Sequence, residues 1–123
     1  MKANTFRSRK AKGTRLESKF AQMIREKGLD DTATRMVLSG AAFGFETDIR
    51  TSLPYAFEVK NQETLKFWQF WEQAEKGRKP FKTPVLVYSA NFKPMMCIMT
   101  AEDWLNMVRE IKDLEKLLDE TNK

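Results

Sequence analysis

Asp48, Glu58 and Lys60 have the types and the spacing that chemistry would need. In the stretch YAFEVKNQ, residues 55–62, Tyr55, Phe57 and Val59 alternate with Ala56, Glu58 and Lys60. A period of two describes a half-buried strand with one large apolar face. The other face carries an acid and a base two residues apart. Just upstream, TSLP supplies a turn centred near Leu53. Asp48 and Glu58 are each five residues from Leu53. An antiparallel hairpin of symmetric register therefore sets them opposite one another, with Cβ atoms about 4.5–5.5 Å apart. A slip of one residue would turn Asp48 to the other face.

Two carboxylates that close repel unless something positive lies between them. Mg²⁺, with Mn²⁺ as a substitute, suits that position, because it takes one or two carboxylates together with waters and substrate phosphate oxygens. The carbonyl of Val59 offers a further oxygen. Lys60 projects on the same face as Glu58 and can stabilise charge developing on a phosphate. The reaction implied is metal-assisted hydrolysis of a phosphodiester.

Several other chemistries are excluded by composition. The chain of 123 residues has no histidine. That removes the usual hydrolase triads and His-ligated zinc. Cys97 is the single cysteine and sits in the apolar run MMCIM, which reads as core. One cysteine makes neither a disulfide framework nor a zinc cluster, and suits a reducing cytoplasm. No apolar run reaches the roughly 18 residues of a membrane span. The opening MKANTFRSRKAKGTR is basic but has no apolar signal region. The expectation is a cytoplasmic protein with no membrane partner.

Charge is unevenly placed. Residues 1–27 carry a net +7, residues 28–100 a net +1 and residues 101–123 a net −3. A basic segment on a balanced domain suggests a polyanion, with Arg7, Arg9, Lys10, Lys12 and Arg15 as phosphate contacts. The plainer reading is a solvated tail.

The elements that must position these residues follow from periodicity. Residues 1–13 read as a flexible basic arm and residues 14–123 as a single domain. Thr14 can cap a helix and Glu17 can close the capping box. Leu16, Phe20 and Ile24 form its apolar face, and Gly28 its stop. RMVLSGAAFGFETDIR reads as strand interrupted by glycines, and YAFEVK as the next strand. A second helix is expected over residues 62–76. Two more strands follow in TPVLVYSA and PMMCIMT. A last helix, capped by Thr100 with Asp103, carries Trp104, Val108, Ile111, Leu114 and Leu118 on one face. The order α-β-β-β-α-β-β-α describes an α/β fold, a mixed sheet flanked by helices. On the second helix Phe67, Phe70, Trp71 and Ala74 would pack inward. Gln62, Lys66, Gln69, Gln73 and Lys76 form a stripe free of carboxylates, suited to phosphates. A stripe that is polar by chance remains the alternative.

Asp-x9-Glu-x-Lys, here TDI followed by FEVK, resembles the signature of the PD-(D/E)XK nuclease superfamily. The order of elements is similar to its restriction-endonuclease-like core. A nearer resemblance, over most of residues 9–104, is to archaeal-type Holliday-junction resolvases and related small nucleases of phages and mobile elements. KAKGTRLESKFAQMIREKGL resembles their opening helix, whose active-site acid matches Glu17. RMVLSGAA resembles their Arg-x-x-x-Ser-Gly-Ala segment, which implies Ser39 near the metal site and Arg35 close by. Glu17 retains its alternative as a helix cap, and Ser39 as a turn residue. The resemblance implies a metal-dependent endonuclease acting on DNA, in the host cytoplasm if phage-encoded. Branched DNA cut by a homodimer is the leading expectation. A related nuclease for duplex, flap or single-stranded DNA and a non-catalytic nucleic-acid-binding module are the alternatives.

Overall fold

In the computed structural model of the chain, residues 6–36, 48–77 and 81–122 are described here, with side chains in the first helix described from residue 12. The elements run α1 (Phe6–Glu26), β1 (Thr34–Arg35), β2 (Ile49–Arg50), β3 (Tyr55–Asn61), α2 (Phe67–Gly77), β4 (Thr83–Ser89), β5 (Met96–Ile98) and α3 (Ala101–Thr121). The expected order and the mixed α/β class are both found. β4 is central in a three-stranded sheet, parallel to β3 from Tyr55↔Thr83 to Asn61↔Ser89 and antiparallel to β5. β1 and β2 form a separate antiparallel pair.

The hydrophobic pattern of β4 explains the layering. A strand buried on both faces reads as a continuous apolar run, and Val85, Leu86 and Val87 are such a run. Val85 and Val87 pack on one side with Leu16, Phe20 and Ile24 of α1 and with Phe57 and Val59 of β3. Leu86 packs on the other side with Phe70, Trp71 and Ala74 of α2. The sheet thus lies between α1 and α2. The Phe20 and Phe57 rings meet edge to face at 4.8 Å and lock α1 onto β3.

The ends of the helices differ from expectation at two places. α1 starts at Phe6, so residues 6–13, read as an arm, are helical, and Thr14 lies inside the helix. No capping box between Thr14 and Glu17 can form there, since an N-cap requires a non-helical residue. The C-terminal end is as expected. Gly28 takes φ 71°, and its N–H and that of Leu29 return to the carbonyls of Arg25 and Ile24, a Schellman closure that glycine makes without strain. α2 starts at Phe67 rather than 62. Gln62 is still tied to β4, its N–H donating to the Ser89 carbonyl, and residues 63–66 form a bend before the helix. The cap of α3 is as expected, with Thr100 Oγ1 accepting from the Asp103 N–H at 3.1 Å. The apolar face of α3 is not covered, however, and the helix has no buried residue.

Two further readings are corrected. β2 pairs with β1 and forms no hairpin ladder with β3. Cys97 is not a core residue. It sits on β5 and lines an apolar groove with Phe20, Ile24 and Val85, where burial pushes its thiol pKa up.

Asp30 fixes the connections. Its carboxylate accepts from the Thr32 N–H and hydroxyl, from the Thr51 hydroxyl at 2.6 Å and from the Ser52 N–H at 2.8 Å. Those donors hold its pKa well below the usual carboxylate range, with the Thr51 hydroxyl contributing most. The loop after α1 is thereby tied to the turn before β3.

Two outcomes follow for stability. Leu86→Ala should cost about 2–5 kcal/mol, since it empties a fully enclosed position. Urea denaturation followed by far-UV circular dichroism measures it. Because the folded pKa of Asp30 is depressed, its contribution is present above the ordinary aspartate range and is lost as pH falls toward the folded value. Asp30→Asn should therefore lower Tm at neutral pH, and the deficit should shrink on acidification.

Candidate active site

The edge of β3 not paired with β4 holds the polar centre. Phe57 and Val59 face α1, while Lys60 lies over the Phe70 ring of α2 at 5.3 Å from its centroid. β3 therefore presents apolar side chains to α1 and its charged ones toward α2. Asp48 enters along the open edge. Its N–H donates to the Phe57 carbonyl at 3.1 Å, and its Oδ2 accepts from the Val59 N–H at 2.7 Å. Asp48 thus sits beside residues 57–59 as the symmetric hairpin would place it, but two hydrogen bonds do so instead of a ladder. The N–H of Val59 points to this edge, so its carbonyl leaves the strand on the same side.

Three carboxylates gather there. The Lys60 ammonium lies 3.7 Å from Glu58 Oε2. Glu17 comes from α1, its Oε1 3.4 Å from Nε of Arg35 on β1. Burial raises the pKa of Glu58 to about 7, Asp48 pushes in the same direction, and Lys60 opposes both. Glu17 is likewise raised to about 7, first by burial and then by Asp48, against the pull of Arg35 and Lys60. Asp48 is raised by burial and held down in part by the Val59 N–H, Lys60 and Glu17. Asp48 thus makes both glutamates harder to ionise, while the hydrogen bond with Glu17 favours the charged form of Asp48.

A divalent cation matches this imbalance. Among the described residues no three acidic or thiol side chains close a cage on their own. Asp48, Glu58 and the Val59 carbonyl instead form a small, all-oxygen donor set on one edge. Mg²⁺ is bound by such sets, since it keeps several waters and borrows phosphate oxygens. The donors present fit that ion.

The other sequence candidates fall in different places. Arg35 is engaged with Glu17 inside the cluster. Ser39 lies outside the described residues, as do the side chains of Arg7, Arg9 and Lys10, whose backbone belongs to α1. Lys12 is half-buried on α1 and Arg15 is exposed. Lys66 precedes α2, and Gln69, Gln73 and Lys76 are exposed on it, so the polar stripe is shorter than expected. Gln62 is part of the continuation of β3. Sequence reasoning did not single out Asp30. Its signal is the Asp-x-Thr of an Asx-type turn just after a helix stop.

Comparison with known proteins gives one finding at the family level. The family model described as "Phage putative PDDEXK endonuclease" matches residues 8–122. No curated protein and no solved structure gives a match.

The raised acids predict a pH dependence. Glu17 and Glu58 hold protons more tightly in the folded chain than in the unfolded one. Their contribution to stability is full below the ordinary glutamate pKa and is lost as pH rises through about 7. Tm should therefore fall between about pH 5 and pH 8, and Glu58→Gln should flatten that fall. Mg²⁺ should raise Tm more at the upper pH than at the lower, and should do so in the wild type but not in Asp48→Asn. Thermal melts with Mg²⁺ and with EDTA check each point.

Proposed function

Since the chain belongs to the phage PDDEXK endonuclease family, we propose that it is a divalent-metal-dependent endonuclease that hydrolyses DNA phosphodiesters, with a preference for branched DNA of the Holliday-junction kind. Nucleases of the wider superfamily generally use divalent metals. The observation that carries the reading is the gathering of Glu17, Asp48 and Glu58 beside Lys60 at one strand edge, with two of the acids held near pH 7.

Asp48, Glu58 and the Val59 carbonyl would hold the metal, Mg²⁺ or Mn²⁺. When bound, it supplies positive charge that polarises the phosphate and acidifies water. Lys60, steadied by Glu58 and the Phe70 ring, donates to a phosphate oxygen as negative charge builds there. Glu17 has a pKa suited to accepting a proton at neutral pH, and Arg35 keeps its carboxyl oriented. Ser39 is proposed as an auxiliary site residue.

Affinity comes from charge. The basic half of α1, with Arg7, Arg9, Lys10, Lys12 and Arg15, and the exposed Lys66, Gln69, Gln73 and Lys76 near α2, would contact phosphates. Resolution of a four-way junction needs two nicks in strands of like polarity. With one centre per chain, two chains related by a two-fold axis meet that need.

The decisive assay is cleavage of labelled junction, flap, duplex and single-stranded DNA with Mg²⁺ and with EDTA. Asp48→Asn and Glu58→Gln should abolish cutting while leaving DNA binding in place. Lys60→Met should lower turnover sharply, with a smaller effect on metal affinity. Full activity in either carboxylate variant would remove the site assignment. Replacing Arg7, Arg9, Lys10 and Lys12 by Gln should weaken binding and flatten the slope of log K against log salt. An unchanged slope would show that this half of α1 does not touch DNA.

A further inference from the structure

α3 leaves the body of the protein with its apolar side uncovered. Only its first turns approach the core, where Asp103, Asn106 and Met107 line a cavity with Tyr55 and Thr83. Farther along, Ile111, Leu114 and Leu118 are more than half exposed, as is Trp104. A helix of 21 residues is about 31 Å long. The apolar stripe it carries in water lacks the packing from which helices in proteins draw most of their stability.

The spacing of the stripe selects its cover. Trp104, Ile111, Leu114 and Leu118 follow one another at steps of seven, three and four residues. Those steps are the a/d spacing of a two-helix coiled coil, and Leu105 and Leu117 are exposed alongside. We propose that α3 is a dimerisation helix whose occupant is α3 of a second copy of this chain, packed antiparallel.

Charge decides the direction. In this register Glu110 and Leu117 are g positions, and Val108 and Glu115 are e positions. A parallel pair sets Glu110 of each chain against Glu115 of the other, so two like-charge contacts flank the seam. An antiparallel pair joins g to g and e to e. Layers of Ile111 on Leu114 and of Trp104 on Thr121 then place Glu110 beside Leu117 and Glu115 beside Val108. No acid faces an acid in those nearest pairs, and the glutamate methylenes cover apolar neighbours. Other charges are paired within the helix, Arg109 with Asp113 at 3.5 Å and Lys112 with Glu115 at 3.9 Å. Antiparallel packing also opposes the two helix dipoles.

The arrangement supplies an interface for the two-chain nuclease proposed above. Its test reads mass and cross-linking rather than cleavage, so the two proposals can fail separately. Sedimentation equilibrium of the full chain at micromolar concentration should give twice the 14.4 kDa chain mass. Leu114→Glu should give the single mass, with the Tm of the core transition retained. In a Cys97→Ser background, Trp104→Cys and Thr121→Cys should each stay uncross-linked alone under oxidation and form a disulfide dimer when mixed. A wild-type monomer, or a Leu114→Glu protein that remains dimeric, would overturn the proposal. Cross-linking of either cysteine variant with itself would overturn the antiparallel order.

Discussion

The hydrogen bond from the Val59 N–H to the Asp48 carboxylate, at 2.7 Å, holds the polar centre together. Asp48 precedes β2, which pairs with β1 and not with β3. Without that bond and the return bond to the Phe57 carbonyl, little would fix the acid against the strand edge. The bond also has an electrostatic role. A backbone donor aimed at a buried carboxylate stabilises its charged form, and Asp48 needs this because burial opposes ionisation. The remaining site groups are arranged around it: Glu17 and Arg35 from the α1 side, Glu58 and Lys60 from β3.

Like charges collected in one place are a standing cost to the fold, and the surroundings show how it is offset. The sheet behind the centre is packed on both faces, with Val87 and Leu86 fully enclosed. Asp30 ties the loop after α1 to the turn before β3 through neutral donors. Rigid apolar layers and a separate polar clasp fix the backbone so that the carboxylates need not find their own positions. This division, a stable scaffold carrying a locally unfavourable group, is how folded proteins keep strained chemistry in place.

The amphipathic periods made much of this legible. The alternation in YAFEVK located β3 and its charged face, the apolar run in TPVLVYSA located β4, and Gly28 marked the end of α1. The boundaries that were misplaced depend on partners distant in sequence. Residue 62 reads as helical by local pattern, yet Ser89 captures its N–H. Thr14 has the chemistry of a cap, but residues before it continue the helix. The pairing of β2 with β1 could not be read, because a hairpin between β2 and β3 satisfies the same periodicity. At the site, types and spacing exposed Asp48, Glu58 and Lys60. The salt bridge of Glu17 with Arg35 joins residues 18 apart and needed coordinates to appear.

The parallel pairing of β3 with β4 bears on how the centre comes into being. Glu17, Arg35, Asp48, Glu58 and Lys60 all lie in the first half of the chain, while the strand that backs β3 begins at Thr83. Parallel strands joined through a helix pair late, because a long loop must close before its contacts are gained. A growing chain emerges N-terminus first. The acidic cluster is therefore synthesised before the strand that pairs with β3. A nascent or truncated chain ending short of β4 carries every acid of the site but lacks the strand that pairs with β3. In this architecture, the sheet behind the acidic cluster is completed last.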